Sequence, residues 1–153
     1  MQDRFETFTV LIDKVKRCIR RIKTEEMSEY NLKSPHVSCL YYLYRHKDEP
    51  LTAKELSEIC DEDKASVSRS VEFLEENGYL VGGKVGTKRY KTPLVLTEKG
   101  VAVARSIVDK IDNVLAVSSD GMTDEERGLM YKSLAIVAEN LQRICDKYGE
   151  QNT

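Results

Sequence analysis

The chain carries four cysteines, Cys18, Cys39, Cys60 and Cys145, but no CxxC pair. That spacing argues against a zinc ribbon and against a small secreted disulfide scaffold, and reduced thiols in a cytoplasm are the simpler reading. Two histidines, His36 and His46, are too few and too far apart to suggest a metal cage, so neither metal nor cofactor is expected. No apolar run approaches the length needed to cross a bilayer. The opening residues, MQDRFETFTVLIDKVKR, are charged throughout and do not read as a signal peptide. A soluble, cytoplasmic protein with no membrane partner is therefore expected. Internal repeats and low-complexity tracts are also lacking. Net charge is only −2, so nothing global draws the chain to a polyanion, and any nucleic-acid binding must come from local clustering.

Charge of both signs is plentiful: 33% of residues are Asp, Glu, Lys or Arg, against roughly 25% in an average globular protein. Long amphipathic helices with solvated faces explain such an excess. Phe5, Phe8, Ile12, Val15, Ile19 and Ile22 recur in steps of three and four, predicting a first helix that fades at Thr24-Glu25-Glu26 into a polar stretch reaching Lys33. Ser34-Pro35 predicts the cap and first position of a second helix, rich in Val37, Leu40, Tyr41, Tyr42, Leu43 and Tyr44 and buried on most sides. Near the other end, Val101, Ala104, Val108, Ile111 and Leu115 form one stripe. Met130, Leu134, Val137, Leu141, Ile144 and Tyr148 form another, after a capping box at Thr123 and Glu126. The terminal stripes are narrow, which suits pairing with a second copy of the chain. Packing on each other within one chain is the alternative.

Between these helices, residues 51–100 read as a winged helix-turn-helix. Thr52 and Glu55 predict a capping box, with Leu51 and Leu56 clamping the first turn. Asp61-Glu62-Asp63 makes a short turn, and Asp63 caps a second helix from Lys64 whose apolar side carries Val67, Val71 and Leu74. Gly78 stops it, a β-hairpin follows, and Thr97 caps the next helix. Helix, tight turn, helix and basic hairpin is the layout of a DNA reader. Lys64, Ala65, Ser66, Ser68 and Arg69 occupy the first turns of the second motif helix, where small and hydroxylated residues permit entry to the major groove. Thr52, opening the first motif helix, is counted with them. From Asn77 to Thr97 there is no acid, while Lys84, Lys88, Arg89 and Lys91 cluster, a charge suited to phosphates or a narrow minor groove. A further basic cluster, Lys14, Lys16, Arg17, Arg20, Arg21 and Lys23, reads as a solvated flank, or as partners for Glu139, Asp146 and Glu150 of a second copy.

The motif DKASVSRSVEFLEENGYL, the hairpin closing on LTEKG, and the helices on either side resemble the MarR family of bacterial transcription regulators. The resemblance spans nearly the whole chain. It implies an obligate homodimer on a pseudo-palindromic operator, commonly a repressor, released by a phenolic or lipophilic ligand or by oxidation of a cysteine. The family's hairpin pairs an Asp with an Arg two residues on. Counting back from Leu96-Thr97, those places hold Lys88 and Tyr90, with Arg89 between them. In the family a ligand cleft lies between the dimerisation helices and the DNA-binding lobe, which makes Tyr30, His36 and Tyr41 candidate effector contacts, with Tyr42 and Tyr44 nearby. The aromatic second helix equally suits a filled core. Cys18, among Lys14, Arg17 and Arg21, is the redox candidate, since neighbouring cations favour a reactive thiolate; an inert packed thiol is the alternative. His36 and Cys39 lie three apart, but no orienting acid accompanies them, so no enzyme is expected.

The expected fold is mostly α (α+β): a single MarR-like domain over 1–153, with 1–33 and 98–153 as dimerisation helices and 34–97 as the winged helix-turn-helix lobe. The expected function is sequence-specific binding of double-stranded DNA by a homodimeric transcriptional regulator, a repressor released by a small aromatic or lipophilic effector. A cysteine-based redox-sensing repressor and a winged-helix protein-interaction module are the alternatives.

Overall fold

The computed structural model describes residues 3–82 and 91–150. Among these, six α-helices accompany one two-stranded sheet: α1 (Arg4–Glu26), α2 (Ser34–Arg45), α3 (Ala53–Ile59), α4 (Lys64–Glu76), β1 (Leu80–Val81), β2 (Val95–Leu96), α5 (Glu98–Ser118) and α6 (Asp124–Glu150). A 3-10 turn, Ser28–Tyr30, separates α1 from α2. This is the mostly helical winged-helix fold that the sequence predicts. The chain divides into two compact units, Met1–Ile111 and Asp112–Thr153, and α5 runs from one into the other. No described helix is long and apolar enough to cross a membrane.

In the first unit α2 is the centre. Val37, Cys39, Leu40 and Leu43 of α2 are buried with Leu56 of α3, Val67, Val71 and Leu74 of α4, and Val103, Ala104 and Ile107 of α5. Met27 and Leu32 complete this core at 1% and 2% exposure, although the sequence reads their surroundings as merely polar. Single apolar residues in a polar run carry no period, so pattern alone passes them over. The start of α2 also differs by one residue. Ser34 lies inside the helix and its hydroxyl is 3.3 Å from Glu62 Oε1, so it is not the cap. The His36 imidazole supplies the acceptor instead, taking the Lys33 N–H at its Nδ1 over 3.1 Å.

The end of α4 fixes the hairpin. Gly78, at φ +77°, takes the left-handed conformation, and the N–H groups of Gly78 and Tyr79 return to the carbonyls of Glu75 (3.1 Å) and Leu74 (2.8 Å). That pair of bonds satisfies carbonyls the helix would otherwise leave open. Thr97 then joins three elements. Its N–H donates to Tyr79 O (3.0 Å), its hydroxyl donates to Gly78 O (2.6 Å), and the same oxygen accepts from Gly100 N (3.1 Å) to cap α5. β1 and β2 pair antiparallel, Leu80 opposite Leu96 and Val81 opposite Val95. Leu94 N–H donates to Leu51 O (2.8 Å), stitching the returning limb of the hairpin to the entry of α3.

In the second unit, Gly121 turns the chain at φ +86°, and Thr123 and Glu126 form the predicted capping box. Leu134, Leu141, Ile144 and Tyr148 of α6 are exposed. In the first unit, α1 has no buried residue, and Phe5, Phe8, Ile12, Val15 and Ile19 are all exposed.

Gly100 sets a strict limit at the α4–α5 junction. A Cβ there would stand 1.9 Å from Tyr79 O, which is backbone and cannot swing aside. Gly100→Ala is expected to destabilise the protein by about 3 kcal/mol, the upper range of overpacking costs. Urea unfolding measures this, and a midpoint equal to that of the parent would refute the close approach.

Candidate nucleic-acid interface

The sides of α4 are sharply divided. Val67, Ser70, Val71 and Leu74 are buried, while Lys64, Ala65, Ser68 and Arg69 are exposed and Ser66 is half-buried. The apolar spacing produces this orientation, because residues three and four apart share a face and that face meets α2. The polar residues predicted to reach a ligand therefore point outward together. Asp63 Oδ1 accepts the Ser66 N–H at 2.9 Å, its Oδ2 takes the Ser66 hydroxyl at 2.9 Å, and Arg69 Nη2 donates to Ser66 Oγ at 3.3 Å. Ser66 thus belongs to the cap and steadies Arg69, a role its place in the sequence does not reveal. Those bonds from Ser66 hold the Asp63 carboxyl below its ordinary range.

Thr52 works as the cap of α3. Its Oγ accepts the Glu55 N–H at 3.2 Å, and Glu55 Oε2 accepts the Thr52 N–H at 2.8 Å. An open groove lined by Ala53, Lys54, Ser57, Lys64, Ala65 and Ser68 runs between α3 and the first turns of α4. Lys91 is exposed on the returning limb of the hairpin. Lys84, Lys88 and Arg89 lie outside the described residues.

The turn between α3 and α4 is anchored from behind. Arg20 Nη2 meets Glu62 Oε2 at 2.9 Å, and Lys23 Nζ meets Asp61 Oδ2 at 2.6 Å and Ser38 Oγ at 2.8 Å. Two members of the basic cluster on α1 are therefore struts to the motif turn, not a solvated flank. They stand 38 and 42 residues from their partners, and nothing in the local pattern announces such a pairing. Burial alone would raise Asp61, but the Lys23 ammonium bonded to it outweighs that and holds the carboxyl below its usual range. Glu139, assigned above to a partner's cations, pairs within its own helix with Arg143 at 2.6 Å, and Asp146 accepts from Gln142 at 2.7 Å.

The candidate effector contacts have different neighbours. His36 stacks on Phe73 of α4, ring centroids 4.1 Å apart and 5° from parallel. Tyr41 meets Tyr42 edge-on at 5.3 Å and lies beneath Arg45. Tyr30 is exposed at the end of the 3-10 turn. Cys18 is exposed on α1. Among the described residues no group of three or more His, Cys, Asp or Glu could hold a metal ion.

With this geometry in view, residues 30–89 match the model of the MarR family, from the 3-10 turn into the hairpin. The central part of the chain is thus similar to the MarR family. A putative MarR-family transcriptional regulator from Listeria monocytogenes, solved in complex with 26mer DNA, is similar at 26% identity and TM-score 0.71, over 92% of this chain and 90% of that one. A MarR transcriptional regulator from Methanosarcina mazei Go1 shares the fold at TM-score 0.76 and 22% identity, over 91% of this chain and 92% of its own. MepR of S. aureus in its DNA complex also shares it, at TM-score 0.77 and 16% identity, over 91% and 99%. No curated protein sequence matches this chain.

Glu62 is 4% exposed and Arg20 59%. Arg20→Ala strands a carboxylate out of water, whereas Glu62→Gln frees an arginine that water already reaches. The first substitution should cost more, by about 1–2 kcal/mol, and equal urea midpoints for the two variants would contradict this. Burial, then the charge of Lys33, lowers His36 below its usual 6.5. The folded state therefore binds this proton less readily than the unfolded state. Its contribution to stability is complete above the unfolded value of 6.5 and is lost as pH falls below it. His36→Phe keeps the stack and removes the titration. Its stability should decline less than the parent's between about pH 7.5 and 5.5, and parallel declines would exclude the effect.

Proposed function

We propose that the chain is a homodimeric transcriptional regulator that binds double-stranded DNA sequence-specifically, acting as a repressor that a small aromatic or lipophilic effector releases. One observation carries this reading: the outward side of α4 presents Lys64, Ala65, Ser68 and Arg69 together while its inner side is fastened into the core. Small residues beside two cations suit close approach to base edges and phosphates. The Listeria regulator and MepR, whose structures contain DNA, add support through the shared fold. A net charge of −2 leaves room for binding through local cations such as Lys64 and Arg69, both exposed on α4.

Dimerisation is supported by the exposed apolar residues of α1 and α6, which a second copy would cover. In a twofold pair the two α4 helices would enter successive major grooves about 34–36 Å apart. An effector acts by binding more tightly to a dimer with a different spacing, and its leverage equals that difference in affinity. Tyr30, His36 and Tyr41 are the proposed effector contacts. His36 has the most direct route to α4, through Phe73.

Fluorescence anisotropy with duplex DNA flanking the protein's own gene tests this. Arg69→Ala should weaken binding by about tenfold or more, and Lys64→Ala should weaken it for every sequence and flatten its salt dependence. Both side chains are exposed, so thermal stability should not change. Unaltered affinity in both variants would remove α4 as the reading element. A solution mass of one chain would remove the spacing mechanism.

A further inference from the structure

Between α1 and the turn that joins α3 to α4 lies a cavity of about 270 Å³, lined from α1 by Ile12, Val15 and Ile19 and from the turn by Asp61 and Glu62. Those three apolar side chains are exposed, so close packing does not fill the gap. Charged side chains span it instead. Lys23, only 11% exposed, donates both to Asp61 Oδ2 and to Ser38 Oγ of α2. Glu62 divides its oxygens between the same two helices, Oε2 taking Arg20 of α1 and Oε1 the Ser34 hydroxyl of α2. Arg20 and Lys23 stand three residues apart, which places both on one side of α1. Charge-assisted bonds of this kind are short and directional, so they fix a rotation as well as a separation. Asp63, the next residue, caps α4. The bearing of α4 is therefore set against α1 through residues 61–63.

We propose that Arg20 and Lys23 are positioning residues that fix the separation of half-sites at which paired α4 helices engage duplex DNA, a role that rests on the DNA-binding homodimer proposed above. Both act through Asp61 and Glu62 rather than by touching the nucleic acid. α1 carries the exposed Phe8, Ile12, Val15 and Ile19 that a second copy would cover, so it follows the twofold axis of the pair, whereas α4 follows the DNA. The two ion pairs join these frames. One inserted base pair lengthens the span by about 3.4 Å and turns one half-site by about 35° around the duplex axis. Divided between two subunits that is about 1.7 Å each, which carries bonds of 2.9 Å and 2.6 Å beyond hydrogen-bond range. With the bridges removed the turn can yield, and neighbouring spacings become nearly equivalent. The outward face of α4 then decides which bases are read, and the bridges decide how far apart.

Duplexes that the parent selects from random-sequence DNA provide the probe, each remade with one base pair added or removed between its half-sites. Fluorescence anisotropy should show the parent favouring one spacing by at least about tenfold. Lys23→Met/Asp61→Asn and Arg20→Gln/Glu62→Gln each remove both charges of one bridge and strand neither. Either should cut that preference at least about threefold. Lys23→Arg, which keeps a cation within reach of Asp61, should retain it. An unchanged preference in both neutralised pairs overturns the positioning role. So does a loss of affinity that is equal at every spacing, since simple destabilisation produces that pattern. Should Lys23→Met/Asp61→Asn lose its helical circular dichroism, the Arg20 pair decides, because Arg20 is 59% exposed. A parent that binds no duplex removes the DNA-binding reading itself, whereas tight binding without a spacing preference removes the positioning role alone.

Discussion

Everything outward about α4 depends on what holds its inward side. A helix of 13 residues is marginal alone in water and takes its stability from packing. Here Val67, Val71 and Leu74 supply that packing, and α2 supplies the surface they meet. Because the apolar residues commit one face to the core, Lys64, Ser68 and Arg69 are left exposed on the other. The caps at both ends then fix the axis: Asp63 at the start, Gly78 and Tyr79 at the finish. The exposed polar face is as much a product of the core as the core itself.

The motif was legible in the sequence for local reasons. Capping boxes at Thr52/Glu55 and Thr123/Glu126, the Asp63 cap and the left-handed Gly78 each rest on residues within a few positions of one another, and the structure forms all four. What escaped reading is long-range. Arg20 and Lys23 have partners 42 and 38 positions away, and on sequence they are indistinguishable from their neighbours Arg17 and Arg21. Met27 and Leu32 were hidden because two apolar residues among polar ones make no stripe. Ser before Pro is the usual signature of a cap, which Ser34 carries without being one. A glutamate 28 residues on claims its hydroxyl instead.

The candidate site was legible to a similar degree. Position within the motif brought out Lys64, Ala65, Ser68 and Arg69, and all four lie exposed on one helix. Position could not show that the Ser66 hydroxyl is taken up by the Asp63 cap, since side-chain oxygens in first turns serve either purpose. Nor could it show that His36 rests against Phe73, because that contact joins residues on different helices.

Thr97 binds the end of α4, the base of the ribbon and the beginning of α5 through three short bonds, and Gly100 lets them crowd together. The ribbon is closed at Leu80–Leu96 before residues 83–90 begin. Changes of length or charge farther out are thereby insulated from the aim of the helix. The outward face of α4 therefore keeps its bearing on the core by bonds that involve none of residues 83–90.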